Sequence, residues 1–331
     1  MNVTILDDYQ DVVRTLSCFP RLADHRVTIF NDAAPDAAAV ADRLRDADAV
    51  LLFRERTAIT REILERLPRL RLISLVGPVP HVDWQACKDF GVTVCSRVVT
   101  EQPSYATAEL TWALVLAAWR RIPQEAAHLK AGGWQSPQAV GSTLRGRTLG
   151  IFGYGRIGSL VARYGQAFDM RVIAWGREGS LARAAADGVE PASSVGTLFS
   201  GSDVLSLHLG LNDATRGIVR REHLALMKET ALLVNTSRAQ LMENGALVEA
   251  LGHGRPGRAA VDVFEHEPLP AGDHPLLSLP NVVATPHLGY LARDSLEVMF
   301  DTMFEQVLAF ERGEPVNVVT GLVKPLPDRD P

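Results

Sequence analysis

Residues 148–158 read Thr148-Leu149-Gly150-Ile151-Phe152-Gly153-Tyr154-Gly155-Arg156-Ile157-Gly158. The first five form a short apolar run suited to a buried strand. After Gly155, Ile157, Leu160, Val161, Tyr164 and Phe168 fall at helical spacing. Three glycines spaced G-x-G-x-x-G in a loop would be a weak signal. Between a strand and a helix they form a dinucleotide-binding fingerprint. Gly153 permits the tight turn, Gly155 lets the backbone approach a pyrophosphate, and Gly158 lets helix and strand pack closely. The phosphates then meet free N–H groups at the helix N-terminus, beside Arg156 and Ile157, where the dipole favours negative charge.

Working outward, strands and helices alternate on both sides of this turn. Upstream, Val3–Leu6, Val27–Phe30, Ala49–Phe53, Leu70–Val76 and Val92–Cys95 read as strands. Asp36–Arg45 and Thr60–Leu67, the latter opening with a threonine cap, read as helices between them. Glu101–Arg121 is a longer helix with Leu110, Leu114, Leu116 and Ala117 near one face. Pro123 interrupts it before a second helical stretch to Lys130, and Gly132–Arg147 reads as a loop. Downstream strands are expected at Arg171–Trp175, Val204–His208, Ala231–Asn235, Arg258–Val263 and Val282–Thr285. A final helix spans Leu291–Phe310 and ends at a C-cap glycine, Gly313, with Pro315 two places on. Such alternation implies α/β architecture with parallel sheets.

The 331 residues suffice for about two domains. A formal charge of −5 with no basic stripe argues against nucleic acid as a partner. Cys18, Cys87 and Cys95 have no C-x-x-C spacing and suit free thiols in a reducing compartment. The N-terminus carries neither the basic region nor the apolar run of a signal peptide, and no apolar run reaches membrane-spanning length. The expectation is a cytoplasmic protein that engages no membrane.

The nucleotide pocket holds a second clue. A carboxylate at the end of the second strand of this fold binds the ribose 2′-hydroxyl of NAD. Here Arg171–Trp175 is followed by Gly176 and Arg177. A guanidinium binds a 2′-phosphate through two parallel N–H bonds, whereas a carboxylate repels it. The pocket thus favours NADP(H) over NAD(H). Arg177 is alternatively a solvated loop arginine, and Glu178 could pair with it or bind a ribose itself. His208 either lines the adenine pocket or caps a strand.

Three polar segments lie just past strand ends, where ligands bind in open parallel sheets. They are Asn235-Thr236-Ser237-Arg238, Asp262-Val263-Phe264-Glu265-His266-Glu267-Pro268 and Thr285-Pro286-His287-Leu288-Gly289. His266 and Glu267 lack the H-E-x-x-H spacing of a zinc site, so no metal is expected.

At these residues, and at Asp203–His208 with Leu211–Thr215, the chain resembles the D-isomer-specific 2-hydroxyacid dehydrogenases. The resemblance runs from about Leu52 to Gly289. It implies two Rossmann-like or flavodoxin-like domains, the dinucleotide-binding domain (101–290) being inserted into a substrate-binding domain (1–100 and 291–331). It implies that Arg238 binds the substrate carboxylate and reacting oxygen, that His287 exchanges the proton, and that Glu267 holds the imidazole, its charge favouring imidazolium. Asp262 would sit near the nicotinamide, and Thr236 and Gly289 would complete the cofactor site. The helix at Glu101–Arg121 would be a hinge and part of a homodimer interface.

The family holds its substrate carboxylate on backbone N–H groups of a glycine-rich loop. The corresponding stretch here is Val76-Gly77-Pro78-Val79-Pro80-His81, in which Pro78 and Pro80 have no N–H. Gly77, Val79 and His81 are left as donors, with Gly77 and Val79 as the expected substrate contacts. Arg54 and Arg56 are either anion-binding groups or surface charge. The implied activity is NAD(P)-dependent interconversion of a small 2-oxoacid, such as glyoxylate or hydroxypyruvate, and its D-2-hydroxyacid. An NAD-linked D-3-phosphoglycerate dehydrogenase is the alternative within the family. The chain length leaves no room for the C-terminal regulatory domain of some of those enzymes. A dinucleotide-sensing regulator is the alternative of another class.

Overall fold

In the computed structural model, which describes residues 1–97, 105–269 and 272–319, the alternating segments build two parallel sheets. The chain divides into two units, Met1–Gln102 with Ala292–Pro331, and Pro103–Leu291.

The first unit begins with β1 (Asn2–Ile5), β2 (Arg26–Ile29), α1 (Ala37–Leu44), β3 (Ala49–Leu51), α2 (Arg61–Leu64), β4 (Leu72–Val76), α3 (Trp84–Asp89) and β5 (Thr93–Arg97). Its strands lie in the order β2-β1-β3-β4-β5. Asp36 caps α1 by accepting the Ala39 N–H at 2.8 Å, and Asp83 caps α3 through Ala86 at 2.9 Å. Thr60 stands at the N-cap of α2, but its hydroxyl makes no capping bond, contrary to the expectation from sequence. That helix is also shorter than expected. Arg66 N–H and Leu67 N–H bond three residues back, to Ile63 and Leu64, so the last turn tightens before Pro68.

The second unit opens with α4 (Tyr105–Trp119) and α5 (Ile122–Lys130). Arg121 breaks them apart with a left-handed φ of 53°. Residues 101–104 of the expected helix lie outside the described residues. Then follow β6 (Thr148–Phe152), α6 (Arg156–Ala167), β7 (Arg171–Trp175), α7 (Glu178–Ala186), β8 (Glu190–Pro191), α8 (Val195–Gly201), β9 (Val204–Leu207), α9 (Arg221–Ala225), β10 (Leu232–Asn235), α10 (Ala246–Gly252), β11 (Arg258–Val261) and β12 (Val282–Ala284). The strand order is β12-β11-β10-β9-β6-β7-β8, all parallel. The chain therefore enters the sheet at β6, builds one way to β8, and returns to the other side of β6 at β9. That reversal is a topological switch point, and the glycine turn lies at its carboxyl end.

Alternation along the strands feeds two cores. Leu149 and Ile151 of β6 pack with Trp112 and Val115, whereas Phe152, Leu205 and Leu207 pack with Phe199 and Leu224. Helix α4 lies against β10, β11, β12 and α6. Its buried face is Thr107, Ala108, Thr111, Trp112, Leu114, Val115, Ala118 and Trp119. Of the four residues expected to form that face, only Leu114 is fully buried; Leu110, Leu116 and Ala117 sit at its margin. Trp112 donates to Val161 O at 3.1 Å and stacks on Phe168 at 4.7 Å, which anchors α4 to α6. By contrast, α5 buries no residue, and Trp134 beyond it is 77% exposed.

The chain then returns to the first unit as α11 (Arg293–Glu311). Phe300 packs on Phe53 and on Phe304, and the Ser74 hydroxyl is held between Met303 O and Gln306 Oε1. Gly313, at φ 80°, ends the helix by donating to Phe310 O.

Candidate active site

The glycine turn is built without side chains because none would fit. Gly153 has φ 102°, and a Cβ there would stand 2.7 Å from His208 O. A Cβ on Gly158 would lie 2.3 Å from Gly153 O. At Gly155 the opposite holds, since nothing lies within 4 Å of where a Cβ would stand. Gly155 is the N-cap of α6, and no side chain caps that end. The N-terminus of a 12-residue helix thus opens onto free space, which fits a dinucleotide pyrophosphate. Arg156 is exposed at the first turn, while Ile157 leans on the core beneath.

Beside this turn, at the end of β9, His208 donates its backbone N–H to Phe152 O and pairs its Nε2 with Ser206 Oγ at 2.8 Å. Burial pushes its imidazole down to about 3, so the ring is neutral near pH 7. At the end of β7, Arg177 is the exposed N-cap of α7, and its guanidinium makes no hydrogen bond or ion pair among the described residues. Gly176 precedes it, within 4 Å of the glycine turn by its would-be Cβ. Sequence reading missed Arg183, one turn into α7, which bonds Tyr154 O at 3.4 Å and Ser180 Oγ at 3.3 Å.

The loops after β10, β11 and β12 carry the remaining groups. Past β10, Asn235 folds the loop on itself: its Oδ1 accepts the Ser237 N–H and its Nδ2 donates to Arg238 O. Arg238 is half-buried, with one Nη1 bond to Ser237 O. Past β11 and β12, Glu267 Oε2 and His287 Nδ1 lie 2.5 Å apart, although 20 positions separate them in sequence. Glu267 Oε1 also accepts the Phe264 N–H at 2.9 Å. Burial works against the Glu267 charge. The His287 hydrogen bond and charge, the Phe264 N–H and the Arg238 charge outweigh it and hold the carboxyl below its ordinary value. The His287 ring packs edge-on to Tyr290, and its Nε2 has no partner among the described residues.

Several of the expected contact residues also bind within the fold. Asp262 is fully buried, and its carboxylate accepts Thr285 Oγ1 (2.6 Å), Leu288 N–H (2.7 Å) and Gly289 N–H (2.8 Å). It fastens the His287 loop. Gly289 gives its N–H to Asp262, and its carbonyl accepts from Thr107 Oγ1. The Thr236 hydroxyl pairs with Thr111 Oγ1.

In the first unit, Gly77 donates its N–H to Arg97 O at 3.1 Å and is not the free donor expected of it. Val79 belongs to an apolar cluster, with its N–H unpartnered among the described residues. His81 is buried with both ring nitrogens unpaired, and burial pushes it down to about 4. Arg56 is half-buried. It donates to Asp7 O at 2.6 Å and lies over the Tyr9 and Phe53 rings. Arg54 takes a left-handed φ of 65°.

A glycine turn at the switch point of a parallel sheet, with a paired carboxylate and imidazole at neighbouring strand ends, defines a dinucleotide-dependent oxidoreductase. Comparison with known proteins makes the class specific. Residues 112–289 match the family described as D-isomer specific 2-hydroxyacid dehydrogenase, NAD binding domain. The chain is 39% identical to the glyoxylate reductase of Aeropyrum pernix over 297 residues, covering 86% of each protein. It is 38% identical to the D-3-phosphoglycerate dehydrogenase of Methanocaldococcus jannaschii over 274 residues, 82% of this chain, but spans only 51% of that relative. Among solved structures, a phosphoglycerate oxidoreductase from Vibrio cholerae O395 superposes with a TM-score of 0.90 at 46% identity, covering 95% of this chain and 99% of the other. The chain belongs to the D-isomer-specific 2-hydroxyacid dehydrogenases, NAD-dependent oxidoreductases of CH–OH groups.

Proposed function

We propose that this protein interconverts a small 2-oxoacid of the glyoxylate or hydroxypyruvate type and its D-2-hydroxyacid, using NADP(H) in preference to NAD(H). The Glu267–His287 pair carries the reading. With Nδ1 turned to the carboxylate, Nε2 is the nitrogen left for proton exchange. The reduced nicotinamide, when bound, supplies the hydride. As the carbonyl carbon gains it, the carbonyl π pair moves to oxygen, which takes the proton from His287 Nε2. Glu267 stabilises the imidazolium that donates it and fixes the ring plane. Arg238 holds the substrate carboxylate and the reacting oxygen by its forked donors, and its charge favours the developing alkoxide.

The cofactor preference rests on the unpaired guanidinium of Arg177 at the end of β7, with Arg183 on the same helix. In this reading Pro103–Leu291 is the dinucleotide-binding domain, the other unit binds the substrate, and the enzyme works as a cytoplasmic homodimer. An NAD-linked D-3-phosphoglycerate dehydrogenase is the second reading, favoured by the 38% identity to such an enzyme.

A panel of 2-oxoacids and 3-phosphohydroxypyruvate, each with NADPH and NADH and followed by nicotinamide absorbance, tests the proposal. Highest kcat/KM on glyoxylate or hydroxypyruvate with NADPH supports it. Highest kcat/KM on the phosphorylated substrate with NADH supports the second reading. Cofactor binding without turnover of any of them contradicts both and points to a dinucleotide sensor.

A further inference from the structure

His287 sits in a backbone conformation that its loop would not choose. Its φ is 54°, a left-handed value uncommon for a non-glycine residue and held here by the surroundings. Part of the enforcement is the Asp262 carboxylate, which gathers Thr285, Leu288 and Gly289. The rest comes from α4.

Thr107 and Thr111 are one turn apart on the buried face of α4, where aliphatic residues would be expected. Thr107 Oγ1 donates to Gly289 O at 2.7 Å, two residues past His287. Thr111 Oγ1 donates to Thr107 O at 2.8 Å and meets Thr236 Oγ1 at 2.7 Å, two residues before Arg238. A hydroxyl has one proton. Because Thr111 gives its proton to Thr107 O, Thr236 must donate to Thr111. The chain of donors is therefore fixed in sense from the Arg238 loop to the His287 loop. The bond from Thr111 to the carbonyl four residues back is ordinary for a helical threonine. The two bonds that leave the helix, to Gly289 and to Thr236, are not. All three threonines are buried, so each lost partner would leave a desolvated polar group.

We propose that Thr107 and Thr111 are positioning residues that clasp the Arg238 and His287 loops from one face of α4, setting the spacing of the two groups. This rests on the reading of Arg238 and His287 as the catalytic pair. The test uses Thr107→Val and Thr111→Val, which keep the branched shape without the hydroxyl, with Thr107→Ser and Thr111→Ser as conservative controls. Two measurements are made on the full-length protein: steady-state kinetics with dinucleotide Kd, and amide exchange at Leu288 and Gly289.

The valine variants should lose about tenfold or more in kcat, with dinucleotide Kd within about twofold, and the serine variants should recover most of it. Exchange at Leu288 and Gly289 should quicken about tenfold in Thr107→Val, with the β6 and β9 amides unchanged. Unaltered exchange at both amides overturns the clasp, whether or not the protein turns over a 2-oxoacid. Altered exchange with kcat unchanged overturns its role in positioning. A wild-type protein inactive on every 2-oxoacid would sink the functional reading instead, while the exchange data still decide the clasp.

Discussion

Glu267 reaches His287 Nδ1 with Oε2 at 2.5 Å while Oε1 is held by the Phe264 N–H at 2.9 Å. Both carboxylate oxygens are thus engaged, one orienting the imidazole and one fixing the carboxylate that orients it. Glu267→Gln keeps a side chain of the same size and removes the charge. We expect kcat/KM to fall about 10–100-fold, with dinucleotide Kd nearly unchanged. Equal loss of dinucleotide affinity would show that Glu267 shapes the cofactor site instead.

Arg177 stands at the N-cap of α7, its guanidinium without a partner among the described residues. Arg177→Ala should weaken NADPH about tenfold while changing NADH by less than about twofold. Titration of both dinucleotides by fluorescence is the check, and equal effects on the two would remove the basis for NADP(H) preference.

At Gly158 a methyl group has no room, since it would stand 2.3 Å from Gly153 O. Gly158→Ala should push α6 away from the turn and raise dinucleotide Kd more than about tenfold, with the far-ultraviolet circular dichroism retained. Tight binding by the variant would contradict the proposed phosphate contact.

Acid should destabilise the fold through its buried histidines. His208 and His81 are pushed down to about 3 and about 4 by burial. Below the unfolded value of about 6.5 the unfolded chain binds protons that the folded chain does not. Stability is therefore full above that value and falls with pH until the folded values are reached. Each such group contributes a slope of at most about 1.4 kcal/mol per pH unit. His208→Gln should flatten the decline in denaturant midpoint between pH 6 and pH 4, and an unchanged slope would show that His208 is protonated in the fold.

Much of this was legible because it is local. The turn at Gly153–Gly158 needs glycines at closely spaced positions, and the strand before it and the helix after it are written in the neighbouring residues. The polar residues at the strand ends were visible for the same reason. What sequence concealed is long-range. Thr107 meets Gly289 across 182 positions, and threonine on a helix carries no mark that separates a clasp from a solvated face. The buried stripe of α4 was misplaced for that reason. Asp262 and Thr236 were expected at the cofactor, and their bonds to Thr285, Leu288, Gly289 and Thr111 could not be read from sequence. That the Gly77 N–H donates to Arg97 O follows from the pairing of β4 with β5, which the loop's own residues do not reveal.

The central claim is proton transfer by His287. Turnover of the best 2-oxoacid by wild type and by His287→Gln, with dinucleotide Kd measured on both, tests it most directly. A fall in kcat of about 10²–10⁴-fold with Kd nearly unchanged is the predicted result. Turnover by His287→Gln within a few-fold of wild type would contradict it.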